Sequence, residues 1–187
     1  MVNQLKPAIA IFGGSFDPPH LGHQHIVEKA IHTLNIEKLL VVPAYLNPFK
    51  TSALASAQIR LNWCRKLFDD IPNIIVNDYE IKEGKSTVTS QTVKHLNQTY
   101  LVKYLIIGAD NLSTLTKWHA YKWLNETITW VIATRDDHQL DMDALRKWEL
   151  LPIKFPISST QIREKKDLQY VDIKIQDSVR TILEGKQ

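Results

Sequence analysis

Cysteine, glycine and long apolar runs are all scarce in this chain of 187 residues. The single cysteine, Cys64, excludes an intrachain disulfide and favours a reducing compartment. No apolar run approaches the roughly 18 residues that suggest a membrane-spanning helix. Polar side chains interrupt the first twelve residues, so the N-terminal sequence does not resemble a signal peptide. We therefore expect a cytoplasmic protein that has no membrane partner.

The chain also lacks a large excess of either charge. It has 23 Lys and Arg residues and 20 Asp and Glu residues, which gives a net charge of +3. A nucleic-acid surface would need clustered Lys and Arg, and only Lys165-Lys166 comes close, so we expect no nucleic-acid partner. Two common phosphate-binding motifs are also missing. The absence of G-x-x-x-x-G-K-[ST] argues against a P-loop, and the absence of G-x-G-x-x-G against a dinucleotide-binding dehydrogenase.

The chain instead alternates short β-rich runs with amphipathic stretches, and it contains no repeat or linker. This alternation predicts an α/β fold, a Rossmann-like doubly wound parallel sheet with helices on both faces, in a single domain over 1–187. The longest irregular stretch is 44–56. The predicted strands are 8–12, 39–42, 74–76, 105–107, 130–133 and 153–155. The predicted helices are 21–34, 57–68, 91–100, 112–124 (in pieces) and 175–183.

Half of the six glycines fall in residues 13–23, GGSFDPPHLGH, between the first predicted strand and the first helix. Open parallel sheets bind ligands at this position. Gly13 and Gly14 are expected to adopt φ > 0 and to let the backbone approach a ligand. His20 and His23 are three residues apart, so both would point from the first helical turn toward one group. Imidazole N–H donors at a helix start suit the oxygens of a polyphosphate.

Two other interpretations of this loop remain open. The glycine pair could form a plain strand-to-helix turn. His20, His23 and His25 could hold a metal, although the loop offers few of the Cys or acidic partners that zinc prefers.

A second polar helix start lies at 157–163, ISSTQIR. A role as the N-cap of the following helix would by itself explain the Ser-Ser-Thr run. Arg163, however, follows Ser159 by one helical turn and would add a guanidinium to the same face. If the sheet brings this segment beside the first loop, the two helix starts would hold one triphosphate between them.

With both motifs, the chain resembles the bacterial nicotinate-nucleotide adenylyltransferases of the H-x-G-H nucleotidyltransferase superfamily. The resemblance covers about residues 9–163 and includes the segments 108–111, 117–119 and 133–135. It implies transfer of an adenylyl group from ATP to nicotinate mononucleotide, which yields deamido-NAD and pyrophosphate in NAD biosynthesis. It also implies Mg²⁺ held mainly by the ATP phosphates, with no metal site on the protein. Adenylyl transfer needs no protein nucleophile, and no convincing Ser/His/Asp or Cys/His set is present.

The resemblance also implies a role for each matching residue. Residues acting on the reacting phosphates would be His20, His23 and Arg163. Further ATP-binding residues would be Gly13, Gly14, Ser15, Phe16, Gly108, Asp110, Ser159 and Thr160. Mononucleotide-binding residues would be Asn47, Lys50, Thr89, Trp118, His119 and Arg135. Trp118 is expected to stack on the pyridine ring, whereas most tryptophans serve only as packing.

The sequence departs from the family at Asn47 and Phe49, where proline and histidine are common, and at Val88 and Gln91, where tyrosine and aspartate are common. Alternatives therefore stay open. The chain could be another nucleotidyltransferase of the superfamily, using nicotinamide mononucleotide, phosphopantetheine or CTP, or a nucleotide-binding regulator without catalysis. The chain is too short to add a tRNA-binding domain, which argues against an aminoacyl-tRNA synthetase. The sequence leaves the oligomeric state open.

Overall fold

A single sheet of six parallel strands organises the fold of the computed structural model, which describes residues 5–134, 140–153 and 157–185. The strand order is β3-β2-β1-β4-β5-β6, which is the order of a doubly wound Rossmann sheet. The predicted α/β class and parallel sheet are confirmed. The strands are β1 (Ala8–Gly14), β2 (Lys38–Pro43), β3 (Ile74–Val76), β4 (Leu101–Gly108), β5 (Thr129–Thr134) and β6 (Trp148–Pro152).

Helices connect these strands and cover both faces of the sheet. A 3₁₀ helix, Ala109–Lys117, directly follows β4. Among the described helices, none is long and apolar enough to cross a membrane. The α-helices are α1 (Leu21–Thr33), α2 (Ala57–Phe68), α3 (Tyr79–Glu83), α4 (Thr89–Leu96), α5 (Tyr121–Thr127), α6 (Ser159–Lys165) and α7 (Ile173–Leu183).

Alternation along each strand divides the hydrophobic core into two layers. In β1, Ala10 and Phe12 face a layer that is completed by α1, α2 and α7. Ile9 and Ile11 face the opposite layer, which α4, α5 and the 3₁₀ helix complete. Side chains of a strand alternate between faces, so a strand buried on both sides has a continuous apolar sequence. Cys64 is fully buried in the first layer, and burial raises the pKa of its thiol.

The prediction of the last strand was wrong. The structure places β6 at Trp148–Pro152, and Ile153 follows its end, while 154 and 155 lie outside the described residues. β6 is an edge strand, and only Leu151 of its five residues is buried. Because the other four side chains are exposed, the strand lacks the apolar run by which the inner strands were recognised.

Several helix boundaries also differ from the prediction. α7 begins at Ile173 and not at 175, and the stretch predicted at 112–124 is divided between the 3₁₀ helix and α5, which extends to Thr127. α4 begins at Thr89, two residues before the predicted start, and it ends at Leu96 because β4 already begins at Leu101. α3 was missed, because its five residues are mostly polar and too few to show a helical period. The loop 44–56 contains no helix or strand, as its irregular sequence predicted.

Candidate active site

A cavity of about 370 Å³ opens at the carboxyl ends of β1 and β4. These neighbouring strands flank the point where the strand order reverses, which is where open α/β sheets bind their ligands. Every predicted site residue that the structure describes lines this cavity, whereas Arg135 lies outside the described residues. The lining residues that the sequence predicted are Gly13, Gly14, Ser15, Phe16, His20, His23, Asn47, Lys50, Thr89, Gly108, Asp110, Trp118, His119, Ser159, Thr160 and Arg163.

The glycine-rich loop differs in detail from the prediction. Gly13 and Gly14 are the last residues of β1, and neither has a positive φ, so that expectation was wrong. The left-handed residue is instead Phe16, with φ of 49°. A Cβ atom on Gly14 would lie 3.2 Å from the Phe16 ring, a tight contact that the buried ring could relieve only by shifting. The glycine thus accommodates a strained turn two residues later.

The Phe16 side chain supports a histidine. It is 1% exposed, and its ring centroid lies 5.4 Å from Phe12 and 5.0 Å from His23. Any contact of Phe16 with ATP would therefore come mainly from its main chain, while its ring fixes the position of the His23 imidazole.

His20 and His23 are adjacent at the start of α1. His20 is the N-cap, and its main-chain N–H donates to Nδ1 of His23 over 3.1 Å. The two ring centroids are 3.8 Å apart. Since Nδ1 of His23 accepts a hydrogen bond, the neutral ring carries its proton on Nε2. His23 therefore has an N–H donor at the far side of its ring, away from the main chain that holds it.

The ISSTQIR segment lies directly against the first loop. The Ser159 hydroxyl donates to the Pro18 carbonyl over 2.8 Å, and Nη1 of Arg163 donates to the Asp17 carbonyl over 2.6 Å. Nη2 of Arg163 also donates to the Thr160 hydroxyl over 3.0 Å. The juxtaposition on which the triphosphate hypothesis depended is thus present. Ser159 also holds the two segments together, a role that the sequence did not suggest.

Residues predicted for the mononucleotide lie at the starts of α4 and α5. Thr89 is the first residue of α4. The hydroxyl oxygen of the next residue, Ser90, lies 3.0 Å from Nδ1 of His119. Trp118 is half-buried and packs edge-on against Trp130, with ring centroids 6.2 Å apart. The buried Nε1 of Trp118 has no hydrogen-bond partner among the described residues. A half-buried indole on the cavity wall has the exposure that a stacking surface needs.

The loop 44–56 reaches the cavity through a turn at Asn47. The Asn47 side-chain oxygen accepts from the Phe49 N–H over 2.9 Å, and its carbonyl accepts from the Lys50 N–H over 2.9 Å. Nζ of Lys50 lies 3.3 Å from the Ser15 hydroxyl. The turn therefore places a cation above the glycine-rich loop.

Gly108 and Asp110 form a close pair at the end of β4. A Cβ atom on Gly108 would overlap a carboxylate oxygen of Asp110, so a side chain there would force the exposed Asp110 carboxylate to move. The Asn111 side chain donates to the Gly108 carbonyl over 3.2 Å.

Glu80 is a cavity residue that sequence reasoning missed. Its side chain is 8% exposed, and its carboxylate accepts from the Thr92 hydroxyl over 2.6 Å. Desolvation by burial raises the pKa of Glu80 to about 7, and the hydrogen bond from Thr92 partly opposes this shift. Glu80 lies in the unpredicted helix α3, among polar residues that looked like a surface stretch, so no sequence signal marked it.

Comparison with known proteins identifies the family. Residues 11–165 match the cytidylyltransferase-like family model. A probable nicotinate-nucleotide adenylyltransferase from Sulfurovum sp. is 63% identical over the full length of both chains. The chain belongs to the nicotinate-nucleotide adenylyltransferase family. A second relative of that name, from Nitratiruptor sp., is 45% identical over 83% of this chain and 86% of its own. The protein is accordingly a nucleotidyltransferase enzyme.

Solved structures share the fold of this family member. A Plasmodium falciparum nicotinic acid mononucleotide adenylyltransferase, complexed with NaAD, matches with a TM-score of 0.73 and 22% identity. The match covers 96% of this chain and 95% of the other. The same enzyme complexed with APC gives a TM-score of 0.69.

The metal interpretation of the loop histidines finds no support in the geometry. Nδ1 of the exposed His25 lies 3.6 Å from the Glu28 carboxylate. Within 5–134, 140–153 and 157–185, no group of three or more His, Cys, Asp or Glu side chains could hold a metal ion.

Proposed function

We propose that this protein transfers the adenylyl group of ATP to nicotinate mononucleotide in NAD biosynthesis, releasing pyrophosphate and forming nicotinate adenine dinucleotide. The observation that carries the proposal is the docking of Arg163 and Ser159 on the loop that presents His20 and His23. Two segments that are far apart in sequence, and that are each predicted to bind phosphate, thereby meet at one cavity. The names of the two relatives, at 63% and 45% identity, support the choice of acceptor.

The reaction is a single displacement. An oxygen of the mononucleotide phosphate attacks the α-phosphorus of ATP, and the bond from that phosphorus to the pyrophosphate oxygen breaks. Because the substrate supplies the nucleophile, the protein contributes positioning and stabilises developing negative charge. His20, His23 through its Nε2–H, and the guanidinium of Arg163 line the cavity and are the donors that we assign to this task.

We infer that Mg²⁺ enters with ATP as part of the substrate. The described residues offer no cluster of ligands of their own, and the phosphates of ATP are hard oxygen donors that suit Mg²⁺. A cytoplasmic location remains our proposal, in keeping with a chain whose single cysteine is reduced and buried.

Replacing Trp118 with alanine is expected to raise KM for nicotinate mononucleotide about tenfold, because stacking on an aromatic side chain contributes roughly 1–3 kcal/mol per base. KM for ATP should change less than twofold. Steady-state kinetics with each substrate varied in turn measures both values. Trp148→Ala, on the exposed edge strand β6, is the matched control. Equal losses for the two substrates would show that Trp118 only packs against the core.

An acceptor panel tests the proposed function. Pyrophosphate release should be measured with ATP and, separately, nicotinate mononucleotide, nicotinamide mononucleotide and phosphopantetheine, and with CTP replacing ATP. We expect the highest kcat/KM for ATP with nicotinate mononucleotide. A preference for another acceptor or for CTP would reassign the substrate, and ATP binding without any turnover would indicate a regulator.

A further inference from the structure

Arg60 is a buried cation that holds two loops together. It lies on α2 with 1% exposure, and it is absent from the cavity lining. Its guanidinium donates to four main-chain carbonyls: Nη1 to Ser15 over 2.6 Å and to Ala44 over 2.7 Å, Nη2 to Tyr45 over 2.6 Å, and Nε to Ala55 over 3.1 Å. Only the planar fork of arginine can serve four acceptors in this arrangement.

Asp17 holds the far end of the same loop. It is 3% exposed, and its carboxylate accepts the N–H groups of Leu54 over 2.7 Å and Ala55 over 3.0 Å. Its own carbonyl accepts from Arg163. Burial lowers the pKa of the Arg60 guanidinium, and the negative charge of Asp17 opposes that shift. The two buried charges thus compensate each other while each fixes main-chain groups.

Residues 44–55 have no helix or strand to order them, yet both ends of this loop are fixed from within the protein. Ordering a free loop on binding would cost about 1–2 kcal/mol for each fixed residue. A loop that is already ordered before the substrate arrives avoids that cost.

We propose that Arg60 and Asp17, the loop bracket, preorder residues 44–55 over the cavity and so position Lys50 beside Ser15 for the incoming mononucleotide. Arg60 is a positioning residue, since it acts through the loop and not on the substrate. The inference rests on the proposed function, because it assigns the loop to the mononucleotide. It is carried by the six hydrogen bonds from and to these two side chains and by the 3.3 Å contact of Lys50 with Ser15.

A double-mutant cycle tests the loop bracket. Arg60→Lys keeps the charge and loses the fork, and we expect KM for nicotinate mononucleotide to rise about tenfold, since small misplacements have large kinetic effects. Lys50→Ala should raise the same KM in the wild-type background and add little in the Arg60→Lys background, because Lys50 is then already misplaced. Arg65→Lys, at a half-buried position of α2 that does not line the cavity, is the control. Fully additive effects, or wild-type kinetics for folded Arg60→Lys, would overturn the proposal.

Hydrogen exchange of the wild-type protein provides a test that needs no variant to fold. The amides of Leu54 and Ala55 should be protected before any substrate is added, because Asp17 already binds them. Rapid exchange of both in the free protein, followed by protection on adding nicotinate mononucleotide, would show that the substrate orders the loop and would overturn the proposal. Hydrogen exchange does not depend on turnover. It can therefore show whether Arg60 and Asp17 order the loop even if the proposed enzymatic function is wrong.

Discussion

Replacing His23 with asparagine is expected to lower kcat about 100-fold or more while leaving the free energy of unfolding close to the wild-type value. The asparagine side-chain oxygen can take the place of Nδ1 and accept the His20 N–H, so the start of α1 stays capped. The donor at Nε2 is lost. Turnover by pyrophosphate release and stability by urea unfolding give the two values.

His23→Gln is the complementary variant. Glutamine can place an N–H near the position of Nε2, and its side-chain oxygen can also accept the His20 N–H, as the oxygen of Gln161 accepts the Ser158 N–H at the same position of α6. It should therefore retain more activity than asparagine, with a free energy of unfolding close to the wild-type value. A folded His23→Asn enzyme with wild-type kcat would remove His23 from the mechanism. Higher activity for asparagine than for glutamine would contradict the proton position on the ring.

The second large effect concerns stability and pH at Glu80. Burial raises the pKa of this carboxyl from 4.5 to about 7, so the folded protein holds a proton that the unfolded chain has already released in this range. The stabilisation is fully present below pH 4.5 and is lost as the pH rises toward 7. The loss amounts to about 3 kcal/mol. Glu80→Gln cannot ionise and can still accept from Thr92, so it should be more stable than wild type by that amount at pH 8 and similar at pH 4.5.

Urea unfolding of both proteins between pH 4.5 and 8 measures this difference. Glu83→Gln, which makes the same change at an exposed position of the same helix α3, is the control. A flat difference for Glu80→Gln would mean that Glu80 ionises in the folded protein much as it does in solution.

The sequence predicted the parallel sheet and its inner strands, because strands buried on both faces are marked by unbroken apolar runs, although β1 extends two residues beyond its predicted end and β4 begins four residues before its predicted start. It also predicted that His20 and His23 would be neighbours, because residues three apart lie on the same face of a helix. The edge strand β6 was not predicted, because the burial that marks the inner strands is missing from most of its side chains. Its exposed side chains, such as Trp148 and Leu150, carry no burial signal.

What could not be predicted depends on contacts between distant segments. Gly14 was expected to have a positive φ, but in the structure the ring of Phe16 packs closely against it, and Phe16 itself adopts the left-handed conformation. Arg60 reads in the sequence as an ordinary charge on an amphipathic helix, and only the fold shows the four carbonyls it binds. Glu80 and Thr92 likewise meet only because α3 and α4 fold together.

The central claim is the direct transfer of the adenylyl group to nicotinate mononucleotide, and its most direct test follows the α-phosphorus of ATP. The purified protein should be mixed with MgATP labelled with ³²P at the α-position and with nicotinate mononucleotide, and the products separated after one turnover. We expect the label in nicotinate adenine dinucleotide, unlabelled pyrophosphate in equal amount, and no label on the protein. Absence of labelled dinucleotide, or label bound covalently to the protein, would contradict the claim.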